Sequence, residues 1–573
     1  MIKFNFPICY LFLMFLFFSC SPKNERHSFP ADRDNKEFSK NSDIEISSLS
    51  EKQTENLVVL GKIWGFLKYY HPAIAKGDYN WDYELFRILP KILNTESNQQ
   101  RDSVLISWIK MLGNFKQGNI LKENKNIVIY PDLNWIENSG FDSELVKLLQ
   151  KVKNAQRLPK HYYIEFSLFG VPVFKNEDKY SKIFFPDAGY RLLSLFRYWN
   201  IINYYFPYKN LTDTPWEEVL PEFIPKFINA KNRFEYRLVA LEMVTKINDS
   251  HGFFYGLDLY SENKLVPAEI VFIGDTAVVA GFFKKDFEKS TELKKGDIIL
   301  RINDKLIEDI IEERKKYMPA SNRGALLRDM SSELLQTDKE HLKIEYSRDS
   351  ITYQTVIPTS NKPSHMPNKF QKKDTCFKFI EPNISYLYLG SMKKEYLPNL
   401  WNCIKSTEGL VIDLRCYPND TFTLFHLSNY LMNNPTAVVK WSHGSLTHPG
   451  MFTYMPVYKF GKKNKQYYKG KVAILINEIT QSHAEYSAMA YRMAPNAKLF
   501  GSPTAGADGD VVDIYLPGGI TTVISSIGCY YPDGGQTQRI GILPDVEVKP
   551  TIKGIKEGRD ELLEKALKWI KEK

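Results

Sequence analysis

Ser482 is the residue whose setting most favours nucleophilic chemistry. It follows the nearly continuous apolar run KVAILINE (471–478), which predicts a strand covered on both faces, and it precedes the helical run AMAYRMA (488–494). A strand, a short loop and a helix would expose the Ser482 hydroxyl beside the positive end of the helix, where developing negative charge is stabilised. The alternative is that Ser482 only caps the helix, since serine is a favoured N-cap residue.

A second cluster of chemically capable residues, Asp249-Ser250-His251, lies in an internal repeat. Segment 195–207 (LFRYWNIINYYFP) matches segment 60–72 (LGKIWGFLKYYHP), and the same gapless alignment continues downstream. Apolar residues at helical spacing and a closing proline predict a helix in each copy. We therefore infer two related helical units that pack together. Identical residues at equivalent positions of the two copies include Trp64/Trp199, Tyr69/Tyr204, Tyr70/Tyr205, Pro72/Pro207, Trp81/Trp216 and Pro90/Pro225.

The two copies differ where the candidate residues lie. The positions of Asp249, Ser250 and His251 are occupied in the first copy by an Asn-Phe-Lys sequence (114–116), which supplies no acid, hydroxyl or imidazole. A Ser-His pair in one copy only indicates a specialised function. A capping cluster at the end of a helix is the alternative interpretation.

Short strands replace helices from about Leu265 onward. The motif Leu293-x-x-Gly296-Asp297-x-Ile299, followed by Ile302-Asn303-Asp304, resembles the turn and strand beside the groove of a PDZ module. Such modules bind an extended peptide, often a C-terminus, as an added strand. An Asp-containing hairpin in another small β domain is the alternative.

Strand and helix alternate beyond residue 378, and the order of segments resembles the C-terminal processing protease and tricorn group of serine peptidases. The Asp249-Ser250-His251 segment precedes the PDZ-like motif, as in that group. Further matching segments follow in the same order: GLVIDLR (409–415), NEITQSHAEYS (477–487), FGSPTAGADG (500–509) and IGILPDVEV (540–548). The resemblance covers most of residues 240–550.

The resemblance implies a Ser-His site of the tricorn type. Ser482 would be the nucleophile and His251 the base, with Ser250 in support. Processing-type members use a lysine base that follows the turn corresponding to Thr504-Ala505-Gly506. Such a base is not expected here, because the segment 501–540 contains no lysine and Lys498 precedes the turn.

His483 adjoins the nucleophile and is a rival base. Neighbouring side chains at the start of a helix diverge, so we expect the backbone N–H of His483 to act instead as an oxyanion donor. The backbone N–H of Asn419, in the loop after GLVIDLR, is the expected second donor.

The orienting acid departs from the group's pattern. Tricorn-like members carry a glutamate just before the closing Gly-x-x-Pro-Asp, and alignment on Gly541 places Gln538 there. Glutamine can hold an imidazole by a hydrogen bond but cannot stabilise imidazolium as a carboxylate does. Substitute acids that the sequence does not rank are Asp510, Asp513 and Asp533.

Composition and charge exclude several other classes. The chain has 573 residues, 43% hydrophobic and 25% charged, which are ordinary globular values. Its net charge of +9 is not concentrated in a Lys/Arg run, so nucleic acid is not an expected partner. The cysteines form no CxxC pair, and His443 and His448 lack a nearby acid or cysteine cluster, so neither a metal nor an organic cofactor is expected.

The first residues predict the compartment. Lys3 precedes the apolar run 4–18, which suits a signal peptide, and the ending Ser19-Cys20 resembles a bacterial lipobox in which Cys20 is lipidated. A general secretory signal with an incidental cysteine is the alternative. We expect 1–20 to be a lipoprotein signal peptide and the polar segment 21–50 to be a disordered tether. The protein would then be exported and lipid-anchored to a bacterial membrane in the cell envelope.

The sequence therefore predicts a multi-domain α+β protein. Its expected parts are a first helical repeat unit (51–185), a second that carries Ser-His (186–260), a PDZ-like module (261–360) and an α/β catalytic domain of the ClpP/crotonase-like type (378–573). The expected function is an exported serine endopeptidase that cleaves unfolded or tail-bearing polypeptides through an acyl-enzyme. One alternative is a weakly active or inactive binder of peptide or apolar ligands, which Gln538 favours. Another is a cell-surface scaffold that uses the Trp-containing repeats, and the sequence does not specify the oligomeric state.

Overall fold

The computed structural model describes residues 29–33, 36–118, 121, 123–256, 264–361 and 375–572. The predicted signal peptide (1–20) and the first part of the predicted tether lie outside these ranges. Within them, no helix is long and apolar enough to cross a membrane.

The second part of the predicted tether is ordered, which corrects the expectation of a free linker over 21–50. Phe38 and Ile44 are buried in the main hydrophobic core. The Ser42 backbone N–H and hydroxyl donate to the Asp187 carboxylate at 2.6 and 2.5 Å. Ile46 and Leu49 also pack against this core, so apolar contacts and the buried serine together hold the segment against the helices.

Helices build the N-terminal half. Asn and Asp side chains cap several of them; Asn80, for example, accepts a hydrogen bond from the Tyr83 backbone N–H. The helices are α1 (Pro30–Arg33), α2 (Glu51–Tyr70), α3 (Pro72–Ala75), α4 (Trp81–Leu93), α5 (Asn98–Met111), α6 (Trp135–Asn138), α7 (Ser143–Lys153), α8 (Ala188–Tyr205), α9 (Trp216–Asn229) and α10 (Arg233–Thr245). Short strands accompany them: β1 (Ile127–Ile129), β2 (Ile164–Phe166), β3 (Pro172–Phe174) and β4 (Phe254–Tyr255).

The tryptophans of the sequence repeat make the same contact twice. Trp64 Nε1 donates to the Trp81 carbonyl at 3.0 Å, and Trp81 Nε1 donates back to the Trp64 carbonyl at 2.9 Å. Trp199 and Trp216 form the same reciprocal pair at 2.8 and 3.0 Å. These hydrogen bonds satisfy buried indole N–H groups and join α2 to α4 and α8 to α9 in an equivalent way.

Helices α2 and α8 lie side by side where the side chain of Asn200 crosses between them. Asn200 Nδ2 donates to the Gly61 carbonyl at 2.9 Å. A Cβ at position 65 would fall 1.8 Å from the Asn200 side chain, so only glycine fits at this approach. The glycines of α2 therefore allow the close packing of the two helices.

A middle region has its own hydrophobic core. Its main sheet has the order β12-β11-β8-β7-β6, so β6 and β12 are its edges. The elements are β5 (Lys264–Leu265), β6 (Ala268–Ile273), β7 (Thr276–Phe282), α11 (Lys285–Ser290), β8 (Ile298–Ile302), β9 (Lys305–Leu306), α12 (Ile307–Arg314), α13 (Arg323–Glu333), β10 (Gln336–Thr337), β11 (His341–Arg348), β12 (Ile351–Pro358) and β13 (Ser360–Asn361).

The C-terminal region is built on a mostly parallel sheet with the order β14-β15-β16-β20-β21-β25. Its central strands are buried on both faces, as the apolar runs predicted. The elements are β14 (Phe377–Glu381), β15 (Ile384–Tyr388), α14 (Leu397–Ile404), β16 (Gly409–Asp413), α15 (Thr423–Leu431), β17 (Thr436–Gly444), β18 (Phe452–Tyr454), β19 (Tyr458–Phe460), β20 (Lys471–Ile476), α16 (His483–Tyr491), β21 (Ala497–Gly501), β22 (Val511–Leu516), β23 (Ile520–Ser525), β24 (Gly528–Tyr530), β25 (Val546–Glu547), α17 (Ile552–Glu557) and α18 (Glu561–Lys571).

The fold is thus mixed α and β. The helical half also packs on the C-terminal region, because β4, which follows Ser250 and His251, pairs with β23. This pairing brings the second repeat unit to the carboxyl ends of the parallel strands, where Ser482 lies.

Candidate active site

Ser482 lies on a sharp turn between β20 and α16. Its backbone has φ 57° and ψ −121°, a left-handed conformation that L-residues rarely adopt, and its side chain is only partly buried. Such a residue stores about 1–3 kcal/mol of strain and persists only where its surroundings fix it. The strained turn presents the hydroxyl at the helix N-terminus, as the sequence predicted, and a plain N-cap does not require this conformation.

Glu485 holds this turn in place. The Ser482 backbone N–H donates to the Ala507 carbonyl at 2.8 Å and to Glu485 Oε2 at 3.0 Å. The buried Glu485 carboxyl also accepts hydrogen bonds from Gly506 N–H (2.8 Å), Ala507 N–H (3.0 Å) and the Thr504 hydroxyl (2.5 Å). Glu485 was not predicted, although a serine followed three residues later by glutamate is a capping-box signal in the sequence.

Two buried carboxyls lie behind the nucleophile. Burial raises the pKa of Glu485 to about 7, and the neighbouring Asp508 adds to the shift, while the hydrogen bonds from Thr504, Ala507 and Gly506 oppose it. Burial likewise raises the pKa of Asp508 to about 6. The Glu485 and Asp508 carboxyls, which lie behind this turn, therefore change their charge near neutral pH.

His251 is buried and held by a hydroxyl. Its Nδ1 lies 2.9 Å from Ser525 Oγ, at the end of β23, and its backbone N–H donates to Asp249 Oδ1 at 3.0 Å. Burial lowers the pKa of His251, while the Asp249 and Asp510 carboxylates act to raise it. The imidazole is therefore neutral at neutral pH and able to accept a proton. Ser525 was missed because nothing in a strand sequence marks one serine as a histidine partner.

Asp249 supplies the carboxylate next to this imidazole. Its Oδ1 is 3.9 Å from His251 Nδ1, and its Oδ2 accepts the Ser525 backbone N–H at 2.8 Å. Gln538 Nε2 donates to Asp249 Oδ1 at 3.2 Å. The expectation that Gln538 orients the histidine directly is therefore corrected, because the amide contacts the carboxylate behind it.

The three acids considered as substitutes differ in position. Asp510 has an exposed side chain and acts on His251 only through its charge. Asp513 lies beside the Tyr515 hydroxyl at 3.4 Å, and Asp533 accepts a hydrogen bond from Gly535 within its own turn. The acid closest to the imidazole is thus the one two residues before it in the chain.

Ser250 ties the histidine segment to the nucleophile segment. Its carbonyl accepts Gln481 Nε2 at 3.2 Å, which joins the residues directly before His251 and Ser482 across a separation of 231 positions. Ser250 and Ser321 exchange two hydrogen bonds of 2.8 Å, each from backbone N–H to hydroxyl. Ser250 therefore positions the two segments through hydrogen bonds to Ser321 and Gln481.

The two backbone N–H groups expected as oxyanion donors, those of His483 and Asn419, differ in whether they are already hydrogen-bonded. His483 occupies the first position of α16, where a backbone N–H has no acceptor within the helix. Burial lowers the pKa of its imidazole to about 4. The Asn419 backbone N–H donates to the Leu389 carbonyl at 3.0 Å, so it is already engaged. The expectation that Asn419 supplies the second donor is corrected, because its backbone N–H is bonded to the Leu389 carbonyl.

The histidines of the WSHGSLTHPG segment are not grouped with acids. His443 ends β17 and is partly buried, and its Nδ1 lies 2.9 Å from the Gly444 carbonyl. In the described ranges, no group of three His, Cys, Asp or Glu residues is placed to hold a metal ion.

A strained serine before a helix and a buried, neutral histidine held beside a carboxylate suit acyl transfer. Together with a peptidase-family match over the segment that carries Ser482, they define the protein as a serine-type peptidase. Residues 383–548 match the model of Peptidase family S41. The match covers the segment that carries Ser482, and the similarity to this family is therefore shown for that segment.

Mature CPAF, in two solved structures, shares the fold at low sequence identity. Mature CPAF is 13% identical and has a TM-score of 0.56, with 67% of this chain and 97% of that chain covered. Mature CPAF complexed with lactacystin is 14% identical and has a TM-score of 0.53, with 67% and 98% covered. The photosystem II D1 C-terminal processing protease is 16% identical, with 64% and 96% covered and a TM-score of 0.38. No curated protein sequence matches the chain.

Proposed function

We propose that this peptidase is an exported, lipid-anchored endopeptidase that cleaves unfolded or tail-bearing polypeptides, with Ser482 as nucleophile and His251 as base. The observation that carries the proposal is the chain of contacts from Asp249 through Ser525 to the His251 ring, next to a serine held in a strained turn. These contacts provide what a bare Ser-His pair lacks, namely a fixed imidazole and a nearby negative charge.

The contacts assign a role to each ring nitrogen. Because Ser525 holds Nδ1, Nε2 is the nitrogen left to take the proton from Ser482 as its oxygen attacks the scissile carbonyl. The Asp249 carboxylate, 3.9 Å from Nδ1, stabilises the imidazolium that forms. His251 then protonates the leaving amine, and a water activated by the same nitrogen hydrolyses the acyl-enzyme.

The oxyanion of the tetrahedral intermediate would meet the N-terminus of α16. The His483 backbone N–H is the first amide after the nucleophile, and the helix places partial positive charge at this end. We propose His483 as one donor through its backbone. Its imidazole stays neutral and takes no part in proton transfer.

We further propose that the middle region is PDZ-like and receives the substrate as an added strand. Its strand β6 is a sheet edge, and α13 packs beside it, so a groove between a strand edge and a helix is available. Residues at the start of α13 reach the site: Ser321 bonds Ser250, and Asn322 Nδ2 donates to the Thr504 carbonyl at 2.9 Å. A peptide held at β6 would therefore lie against an element that contacts the catalytic turn.

The rival function is a binder that has lost catalysis, and Gln538 is the residue that favours it. Asp249 weakens that argument, because the carboxylate that Gln538 does not supply is present two residues before His251. The experiment must therefore distinguish a protein that cleaves peptides from one that only binds them.

Cleavage of a denatured proteome distinguishes the two functions. The full chain and its Ser482→Ala variant are incubated with the same denatured extract, and new peptide termini are mapped by mass spectrometry. New termini that appear only with the unaltered chain establish a serine endopeptidase and give its specificity. If neither protein produces termini while both retain the same peptides, the binder is the correct function.

Export and anchoring need a separate experiment, since Cys20 lies outside the described residues. Expression of the full chain in a bacterial host should place it in the membrane fraction, and Cys20→Ala should release it in soluble form. Recovery of both proteins from the cytoplasm would reject export.

A further inference from the structure

A cavity of about 430 Å³ opens in the helical half of the protein, and it shares no lining residue with the Ser482 site. Its walls come from α1, the start of α4, the segments on either side of the hairpin β2–β3, and Tyr515 of β22. Four carboxylates line it: Asp32, Asp82, Glu177 and Asp178. Among the described residues, its lining contains no lysine, arginine or histidine.

Asp82 gives the cavity an unpaired buried acceptor. The residue is only 3% exposed, and its Oδ2 accepts hydrogen bonds from Arg197 Nη2 at 2.6 Å and from the Tyr180 hydroxyl at 2.8 Å. Its Oδ1 is buried and has no hydrogen-bond partner within the described residues. A buried carboxylate oxygen is costly to leave unpaired, so the geometry calls for a donor from a ligand.

The charge balance favours a cation. Lys68 and Arg197, which do not line the cavity, form ion pairs with Glu177 and Asp82 and neutralise them. The two rim carboxylates, Asp32 and Asp178, are exposed. Asp32 accepts a hydrogen bond from the Tyr162 hydroxyl, and Asp178 accepts the Tyr180 backbone N–H at 2.8 Å, so their contacts leave the negative charge in place.

Aromatic rings complete the lining, and one of them already contacts a cation of this chain. Lys179 Nζ lies 4.1 Å from the centroid of the Tyr515 ring, which is cation–π geometry. Further tyrosines at the cavity, among them Tyr83, Tyr162 and Tyr163, offer ring faces and edges. Carboxylates combined with tyrosine rings are the usual surroundings of ammonium and guanidinium groups.

We propose that this cavity binds an organic cation, an ammonium or guanidinium group carried by a polypeptide side chain or by a free amine. A metal ion does not fit, because no three ligating side chains among the described residues are suitably grouped. An anion would face four carboxylates. The site is independent of the acyl-transfer chemistry proposed for Ser482.

Calorimetric titration of the full chain with matched probes tests the charge requirement. The probes are acetyl-arginine-amide, its uncharged isostere acetyl-citrulline-amide, and agmatine. We expect both cations to bind and the citrulline compound to bind at least tenfold more weakly. Tighter binding of acetyl-arginine-amide would indicate a polypeptide side chain as the natural source, and tighter binding of agmatine a free amine.

Variants locate the binding in the cavity. Asp32→Asn and Asp178→Asn should each weaken binding about fivefold, as expected for one exposed carboxylate. Asp82→Asn should weaken it more, and a circular-dichroism melt checks that this buried variant folds. Lys179→Met should tighten binding, because it removes a competing charge beside Tyr515.

The outcomes separate this proposal from the proposed function. Ser482→Ala should bind the cations as the unaltered chain does, so a failure of proteolysis leaves this test intact. Equal binding of the citrulline compound, or unchanged binding in both rim variants, overturns the proposal. Absence of heat with all three probes, confirmed by an unshifted melting temperature at millimolar probe, overturns it as well.

Discussion

The side-chain amide of Gln538 donates to the carboxylate of Asp249 at 3.2 Å, one step behind the His251 imidazole. The glutamine therefore stabilises a charged carboxylate that is already present. A glutamate at this position would face Asp249 across the same short distance. Gln538 and Asp249 are thus a matched pair of amide donor and carboxylate acceptor.

Gln538→Glu should lower both activity and stability at neutral pH. Two buried carboxyls about 3 Å apart cannot both ionise at low cost, and their repulsion raises the pKa of one of them. We expect a loss of about 2–3 kcal/mol in the free energy of unfolding at pH 7.5 and a smaller loss at pH 5. Chemical denaturation at the two pH values measures this difference.

Gln538→Leu is the matched control for that variant. It removes one donor from Asp249 without adding a charge, so its effect should vary little with pH. A Gln538→Glu protein that is more active than the unaltered chain would show that this side chain reaches the imidazole directly.

Ser525→Ala should lower kcat by about 10- to 100-fold with little change in KM. The hydroxyl holds His251 Nδ1 at 2.9 Å, and without it the ring loses the contact that fixes its orientation. Steady-state kinetics on a peptide found in the proteome experiment measure both constants. Ser525→Thr keeps the hydroxyl and should retain most of the activity, whereas equal losses in both variants would point to packing at the end of β23.

Stability should fall with rising pH through the titration of Glu485. Its pKa of about 7 lies above its ordinary value of 4.5, so the folded state binds more protons than the unfolded state between these values. The free energy of unfolding therefore decreases as pH rises through this window, by on the order of 3 kcal/mol.

Glu485→Gln isolates this contribution. The variant should be less stable at pH 5, because an amide cannot accept from every donor that Glu485 serves, and its deficit should shrink toward pH 7.5. Denaturation midpoints of the two proteins across this range check the sign. A deficit that grows with pH would mean that Glu485 is stabilised as a carboxylate.

The sequence indicated the candidate site residues that lie in local patterns. Ser482 lies between an apolar strand and a helix, and His251 follows a helix in one repeat copy, so both candidates could be proposed from neighbouring residues. Ser525 could not, because it meets His251 across 274 positions and its strand has an ordinary pattern. The engaged amide of Asn419 was equally hidden, since it depends on how one loop turns.

The fold could be predicted from the sequence to a similar extent. Alternating strands and helices beyond residue 378 indicated the parallel sheet, and the repeat indicated paired helices. The composition of 21–50 predicted a disordered tether, but Phe38 and Ile44 are buried in the core and order the second half of this segment. The average composition of a segment does not show which of its apolar residues pack into a neighbouring core.

Ser482→Gly should be more stable than Ser482→Ala, although both variants should be inactive. At φ 57° and ψ −121° a Cβ is strained, and glycine relieves that strain. We expect a difference of about 1 kcal/mol in the free energy of unfolding after the entropic cost of glycine. Equal stabilities would mean that the bonds to Ala507 and Glu485 do not hold a strained turn.

Trp64→Phe and Trp199→Phe should destabilise the protein to a similar extent. Each variant removes the indole N–H that satisfies a buried carbonyl, of Trp81 or of Trp216, and leaves a cavity in the same kind of helix pair. We expect about 3 kcal/mol for each, from the unpaired carbonyl together with lost packing. Equal losses in thermal and chemical unfolding are expected if the two units are equivalent, since the reciprocal bonds have the same geometry in both. A large loss in only one variant would show that the sequence repeat does not correspond to an equivalent role in stability.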